Sequence, residues 1–208
     1  MKKNEYKNGL ALIELIVAMI VTSIIATAVV TLAYALDTAS DATDDTSKKQ
    51  AQIRFAAIRI SDLIRHSRLV CYAGTDDLAV WKDDVNDDGQ ININELVYIE
   101  FGSAKDHVQL CEFSSTDSTA INISSIGAFA SNWWSAYSAD VNYTNMIPQC
   151  SEVDFGFMPA LPPQSKFVTI SYKIVENGID RQCQINAALR GWSGNLLDGS
   201  GNIISDDD

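Results

Sequence analysis

The sequence has few of the residues on which many enzymes and nucleic-acid-binding proteins depend. It contains two histidines, His66 and His107, and no pattern typical of a zinc site. It has 15 basic residues against 27 acidic residues, and the net charge of -12 argues against binding to nucleic-acid phosphates. It also lacks a glycine-rich phosphate loop. We therefore expect no enzymatic activity and no direct contact with nucleic acid.

Charge is nearly absent between Leu10 and Leu36, where Glu14 is the single charged residue. The run exceeds the roughly 20 apolar residues that cross a bilayer, so it predicts a transmembrane helix. Residues 1–9 carry a net positive charge, from three lysines against Glu5, which places that end in the cytoplasm and the C-terminal domain outside. A cleaved secretory signal is one alternative, but its apolar core usually spans about 7–15 residues. A plain single-pass anchor is another, and it leaves Gly9 and Glu14 without a role.

The segment Gly9-Leu10-Ala11-Leu12-Ile13-Glu14-Leu15 joins a glycine, an apolar helix start and one acid. It resembles the processing site of type IV prepilins and type II secretion pseudopilins. The resemblance implies that a prepilin peptidase cleaves between Gly9 and Leu10 and methylates the Leu10 amine. It also implies that Glu14 pairs with this amine on a neighbouring subunit, since charges in lipid need partners. Two residues depart from the family, which usually has Phe or Met at Leu10 and Thr or Ser at Ala11.

No proline precedes Pro148, whereas major pilins often carry one in the apolar helix. Because an unbroken helix lacks a built-in kink, the resemblance implies a minor subunit. We expect a single-pass inner-membrane protein with its C-terminal domain in the periplasm or outside the cell. Its expected partners are prepilin peptidase, other pilins or pseudopilins, and membrane lipid. Two alternatives are a tethered ligand-binding module, using a calcium-stabilised or aromatic loop, and a simple anchored exported domain.

The expected fold class is α+β and pilin-like, with a long N-terminal helix packed on an antiparallel β-sheet domain. Apolar residues recur at spacings of three and four from Ile53 to Ile64, which is typical of an amphipathic helix. This helix is either continuous or interrupted near Asp41. The predicted segments are a leader (1–9), a transmembrane helix (10–36), its amphipathic continuation (37–70), a β-rich domain (71–192) and a flexible acidic tail (193–208).

Short runs rich in β-branched and aromatic residues predict strands within the domain. They cover residues 78–81, 96–101, 108–113, 167–175 and 180–189. Asn177-Gly178 lies between the last two runs and predicts a hairpin turn. Residues 114–163 are rich in Ser, Asn and Ala, and we expect them to be mainly loop.

The four cysteines all follow the apolar run, and none belongs to a Cys-x-x-Cys pair. An even number of widely spaced cysteines in an exported domain favours two disulfides. Four cysteines allow three connectivities, and among them we predict the pairs Cys71–Cys111 and Cys150–Cys183. The alternative is that all four are buried free thiols.

The segment from Asp84 to Glu95 fits the twelve-residue calcium-loop pattern. The predicted ligands are the side chains of Asp84, Asn86, Asp88 and Glu95 and the carbonyl of Gln90, with Gly89 at the sharp turn. If calcium binds, we expect it to neutralise these carboxylates and stiffen the loop. Since strand-like runs rather than helices flank the segment, the alternative is a plain hairpin turn at Asp88-Gly89.

Aromatic residues cluster in the polar region that follows. Trp133 and Trp134, with Tyr137 and Tyr143, either form an exposed recognition patch or pack onto the sheet and cover its core.

Overall fold

The structure, a computed structural model, describes residues 5–116, 118–127, 134, 140–176, 179–190 and 197–198, with only the backbone for residues 5–11, 42 and 176. It confirms an α+β class with one long apolar N-terminal helix and antiparallel sheets. The elements are α1 (Glu5–His66), β1 (Leu69–Ala73), β2 (Asp77–Trp81), β3 (Leu96–Phe101), β4 (His107–Phe113), β5 (Val141–Pro148), β6 (Cys150–Met158), β7 (Phe167–Glu176) and β8 (Ile179–Ala188). Single 3-10 turns cover Ile93–Glu95 and Ile123–Ser125.

Helix α1 runs without interruption past Asp41, but it ends at His66 and not at the expected Val70. Its last turn carries basic side chains, which complement the negative end of the helix dipole. The Ser67 amide still donates to the Leu63 carbonyl. The next amide, that of Arg68, donates to the Trp81 carbonyl, so the chain has already joined the sheet.

The chain divides into two compact units, Met1–Lys49 and Gln50–Asp208. The first contains the N-terminal part of α1, which is long and apolar enough to cross a membrane, and its most apolar stretch is entirely exposed. Threonine hydroxyls in this part donate to carbonyls one turn earlier, as Thr22 does to Ala18 and Thr27 to Ser23. These bonds satisfy the polar groups of the segment within the helix itself.

The second unit has a five-stranded sheet in the order β1-β2-β3-β4-β5 and a three-stranded sheet in the order β6-β7-β8. Successive residues of β3 belong to two different core clusters, because side chains alternate across a strand. Val97 and Ile99 lie in one cluster together with the helical residues Ile60 and Ile64 and with Val168 of β7. The five-stranded sheet therefore packs against α1 and the second sheet through this face.

The other face of the five-stranded sheet is covered by the connection between β4 and β5. Leu96 and Tyr98 of β3 pack there with Ile121, Ile126 and Trp134. Both faces of β3 are buried, which accounts for the apolar run from Leu96 to Ile99.

Three strands were not predicted from the sequence. Strand β1 begins with Leu69 and Val70, which were expected to end the helix. Strands β5 and β6 lie within residues 114–163, so the second half of this expected loop region forms strands, whereas the described residues from 114 to 140 contain no strand. Strand β5 is a sheet edge, and Asn142, Tyr143 and Asn145 are exposed on it, so the strand lacks the apolar alternation that a sequence pattern detects.

Two other predictions fall mostly outside the described residues. Asn177 and Gly178 are not described, but Glu176 lies opposite Ile179 in the antiparallel β7–β8 pair. Of the predicted flexible tail, only Leu197 and Asp198 are described.

The predicted disulfides were wrong, because all four cysteines are free thiols in the structure. Cys71 is on β1 and Cys111 on β4, with two strands between them. Three strand spacings amount to about 14 Å, whereas the Cα atoms of a disulfide lie within about 7 Å. Cys150 and Cys183 are likewise separated by β7.

Burial also makes three of these thiols poor nucleophiles, and desolvation raises the pKa of Cys71 most strongly. Desolvation raises the pKa of Cys111 to about 12 and that of Cys150 to about 11. Little thiolate is therefore present at neutral pH, which is typical of a structural cysteine.

Candidate functional site

The residues of the predicted processing segment lie in the first turns of α1. Gly9 and Leu10 are helical, with their side chains outside the described set, and Glu14 is exposed one turn later. Glu14 and Leu10 are four residues apart, so they fall on the same face of the helix. This face continues into the exposed side chains of Ala18 and Thr22, one and two turns further on.

The acidic loop, Asp84 to Glu95, connects β2 to β3. A single 3-10 turn, Ile93–Glu95, stands where a calcium-binding hand would have its second helix. Two buried isoleucines hold the second half of the loop in place. The Ile91 carbonyl accepts from the Ile121 amide at 2.7 Å, and the Ile93 amide donates to the Thr119 carbonyl at 3.0 Å.

Asp84 begins the loop, and its carboxylate accepts hydrogen bonds from the turn at Asp88 and Gly89. Only 2% of its side chain is exposed. Its Oδ1 accepts from the Asp88 amide at 3.2 Å, and its Oδ2 accepts from the Gly89 amide at 3.0 Å. Gly89 has a φ of 67°, in the left-handed region where glycine is favoured. The Arg68 guanidinium lies 3.5 Å from Asp84 Oδ2 and partly neutralises its charge.

Two side chains and one backbone amide donate to Asp88. Its Oδ2 accepts from the amide nitrogens of Asn86 at 2.7 Å and Asn92 at 3.1 Å, and its Oδ1 accepts from the Gln90 amide at 2.8 Å. Burial tends to raise the pKa of Asp88, but the hydrogen bonds from Asn92, Gln90 and Asn86 outweigh it and lower the pKa. Asp88 is therefore held as a carboxylate at neutral pH.

Glu95 closes the loop as a buried carboxylate, with 2% of the residue exposed. Its Oε1 accepts from the Val85 amide at 2.8 Å. Its Oε2 accepts from Trp81 Nε1 at 3.0 Å and from the Asn92 amide at 3.2 Å. A carboxylate offers about four lone-pair positions, so three donors leave roughly one. The predicted bidentate contact of Glu95 with an ion is therefore reduced to a contact through one oxygen.

The structure brings most of the predicted loop ligands together and adds Asn92, which the sequence reasoning missed. The sequence did contain a sign of this role, because Asn92 occupies the ninth position of the twelve-residue pattern, and the residue at that position often contacts the ion through water. Across the described residues, no three His, Cys, Asp or Glu side chains form a group that could hold a metal ion. A cation would therefore depend on amide and carbonyl oxygens as well as carboxylates, and these are ligands that calcium accepts.

The aromatic residues do not all form an exposed patch. Trp134 is 7% exposed and packs against Tyr98 and Phe113, with ring centroids 5.5 and 6.1 Å away. For Trp134 the structure agrees with the alternative that it covers the core. Tyr143 is 48% exposed, and Trp133 and Tyr137 lie outside the described residues.

Comparisons of this chain with protein-family models, with curated proteins and with solved structures found no match. The resemblance to prepilins therefore rests on residues 9–15 and their setting in the sequence. The chain is an α+β protein whose N-terminal helix is long and apolar enough to cross a membrane.

Proposed function

We propose that this chain is a structural subunit, a minor pilin or pseudopilin, of a type IV pilus-like or type II secretion filament. One observation carries the proposal. The large apolar side chains of α1 between Leu12 and Leu36 are exposed, yet the same helix continues without a break until its last turns lie in the domain core. A helix of this kind can anchor a folded domain in lipid and later pack against other helices.

The exposed apolar segment needs an environment that the described residues do not supply. Met19, Val30 and Leu36 are each more than 60% exposed. Removing such a side chain from water is worth about 1.5–3 kcal/mol, so the segment as a whole strongly favours lipid or neighbouring helices. In the proposed cycle, lipid surrounds the segment first, and helices of other subunits replace the lipid during assembly.

Glu14 is the residue that gives this packing a defined register. Apolar packing between helices in lipid is weakly directional, whereas a carboxylate there requires a partner at a definite position. Cleavage after Gly9 would create a charged amine on Leu10, one helical turn away from Glu14 in the same chain. The amine of a neighbouring subunit can serve as the partner, so that each new subunit is added at a fixed axial step.

The N-terminus of the mature chain tests the proposal. After co-expression with a prepilin peptidase, mass spectrometry should show a chain that begins at N-methylated Leu10. A Gly9→Val variant should stay uncleaved, because a branched side chain replaces the small residue at the cut. An intact Met1 in the parent chain, or a start at Leu36 after the small residues of Ala33-Tyr34-Ala35, would contradict it.

The assembly role of Glu14 can be separated from processing. Glu14→Ala should still be cleaved but should be absent from filaments sheared off the cells. Asp41→Ala is the matched control, because it removes a carboxylate of the same helix outside the apolar run, and it should assemble normally. Equal incorporation of both variants would remove the role proposed for Glu14.

A further inference from the structure

We infer that the acidic loop, Asp84 to Glu95, is a calcium site in which Asn92 is a ligand, and that this site is independent of filament assembly. Two separate observations support the inference. The residue types from Asp84 to Glu95 have the spacing of a calcium loop. Asn92 is 1% exposed, and its side-chain oxygen has no hydrogen-bond partner among the described residues.

The Asn92 amide lies among the other predicted ligands. Its Nδ2 is 3.1 Å from Asp88 Oδ2 and 3.4 Å from Asn86 Oδ1. A buried polar atom without a partner is costly, so the free Oδ1 calls for an explanation. A half-turn of the amide would exchange its nitrogen and oxygen and place Oδ1 beside the Asp88 carboxylate. The two hydrogen bonds of Nδ2 would then be lost, and the Asn92 and Asp88 oxygens become compatible when a cation lies between them.

The loop offers enough oxygens for calcium. They are one or more side-chain oxygens from each of Asp84, Asn86, Asp88 and Asn92, one oxygen of Glu95, and the Gln90 carbonyl. Calcium accepts six to eight oxygen ligands in flexible geometry, and water can complete the set, whereas magnesium requires near-ideal octahedral geometry. The loop contains neither cysteine nor histidine, so its donors suit calcium better than zinc.

Arg68 sets an upper limit on the affinity. Its guanidinium lies 3.5 Å from Asp84 Oδ2 and over the ring of Trp81, 5.4 Å from the centroid. This positive charge competes with an incoming cation for Asp84. The Asp84 carboxylate is shared with Arg68, and the Glu95 carboxylate accepts from three N–H donors. We therefore expect the weak affinity of extracellular calcium modules, with a Kd of about 10⁻⁴ to 10⁻³ M.

Calorimetric titration of the full-length chain in detergent micelles tests the site. The parent chain should bind one calcium ion, and Asp88→Asn should weaken binding about tenfold or more, because it removes a charged ligand at nearly constant shape. Asp87→Asn is the matched control, since it removes the adjacent charge, which is not a proposed ligand, and it should bind as the parent does. Circular dichroism without calcium shows whether each variant is folded.

Two results would overturn the inference. One is the absence of saturable binding by the parent chain up to roughly 10 mM calcium, well above the expected range. The other is equal binding by Asp88→Asn and Asp87→Asn when both variants are folded. Neither result depends on cleavage at Gly9 or on filament assembly, so failure here leaves the proposed function intact.

Two further variants locate the ion more closely. Asn92→Leu keeps the residue buried without its oxygen and should weaken calcium binding. Arg68→Gln removes the competing charge and should strengthen it about threefold or more, because like charges at this distance repel. If the calcium affinity is unchanged in both variants, Asn92 is not a ligand and Arg68 is not a competitor, and the proposed site is overturned.

Discussion

Two stretches of the same helix are rich in apolar residues, yet among the described residues only one of them is buried in a core. From Leu12 to Leu36, α1 is apolar on every side, and its large side chains are exposed. From Gln50 to His66, a single stripe that includes Ala56, Ile60 and Ile64 is buried in the domain core. An all-round apolar surface is typical of a helix that is surrounded by lipid or other helices, whereas a stripe is typical of a helix on a folded domain. The distribution of apolar residues around the helix therefore distinguishes its two environments.

The largest effect is expected where the buried stripe is broken. Ile60 is 0% exposed, and Ile60→Ala should lower the free energy of unfolding by about 2–5 kcal/mol, because it leaves a cavity in the core. Ile58 lies on the outer side of the same turn with 69% exposure, and Ile58→Ala should change stability by less than about 0.5 kcal/mol. Denaturant unfolding of the full chain in detergent measures the free energy of unfolding of both variants. Equal losses of stability would contradict the claim that only one stripe of this stretch is buried.

A charge in the middle of the exposed segment tests the other environment. Ile24→Arg should make membrane insertion less favourable by about 2.5–3.5 kcal/mol. Phe55→Arg places the same charge on an exposed position of the second stretch, and it should leave insertion unchanged. Resistance of the protein to alkaline extraction from membranes measures insertion. Equal extraction of the two variants would mean that residues 12–36 do not enter lipid.

A smaller effect concerns two carboxylates that face each other on the domain. Asp77 lies directly opposite Glu100, and burial, then Glu100 and then Asp76, raise the pKa of Asp77, whereas Lys105 lowers it. Because its folded pKa is raised, the folded state binds the proton more tightly, and stability falls as the pH rises through that pKa.

Asp77→Asn should therefore stabilise the domain at neutral pH, by about 0.2–1 kcal/mol for a like-charged cross-strand pair. The gain should shrink as the pH falls through the raised folded pKa, and it should be lost below 3.8, the ordinary pKa of Asp77, because the parent carboxyl is protonated in both states there. Thermal unfolding across this pH range measures the gain. Asp154→Asn, on an exposed position of β6, is the control. An equal gain in stability for this variant would contradict the proposed repulsion between Asp77 and Glu100.

The smallest expected effect is none at all. Loss of a native disulfide typically costs about 2–5 kcal/mol, whereas a domain with four free thiols should have the same melting temperature with and without reductant. Mass spectrometry after alkylation should find all four thiols reactive once the chain is unfolded, and the partly exposed Cys183 should react first in the folded state. A reductant-dependent melting temperature would show that covalent links support the domain.

Sequence patterns predicted those strands and helices in which the apolar residues along the chain match the residues that are buried in the fold. The predicted strand 96–101 coincides with β3, because both of its faces are buried and its first four residues form an apolar run. Strand β5 was missed because it is an edge strand with polar exposed residues, and β1 was missed because Leu69 and Val70 also fit the preceding helical pattern.

The candidate loop shows the same limit at the level of single residues. The spacing of Asp84, Asn86 and Asp88 was visible in the sequence, and the structure places them together. The contacts of Arg68 and Trp81 with this loop were not visible, because they come from parts of the chain that only strand pairing brings near.

The sequence by itself determined the apolar N-terminal helix, the single carboxylate within residues 10–36 and the α+β class, because these depend on residue type and spacing along one stretch of chain. Only the tertiary structure decided that the four cysteines lie on strands too far apart to pair as expected, that Trp134 covers the core, and that Glu95 is nearly saturated by three N–H donors. Those outcomes depend on distances between residues remote in sequence, and such distances are fixed by strand order and packing.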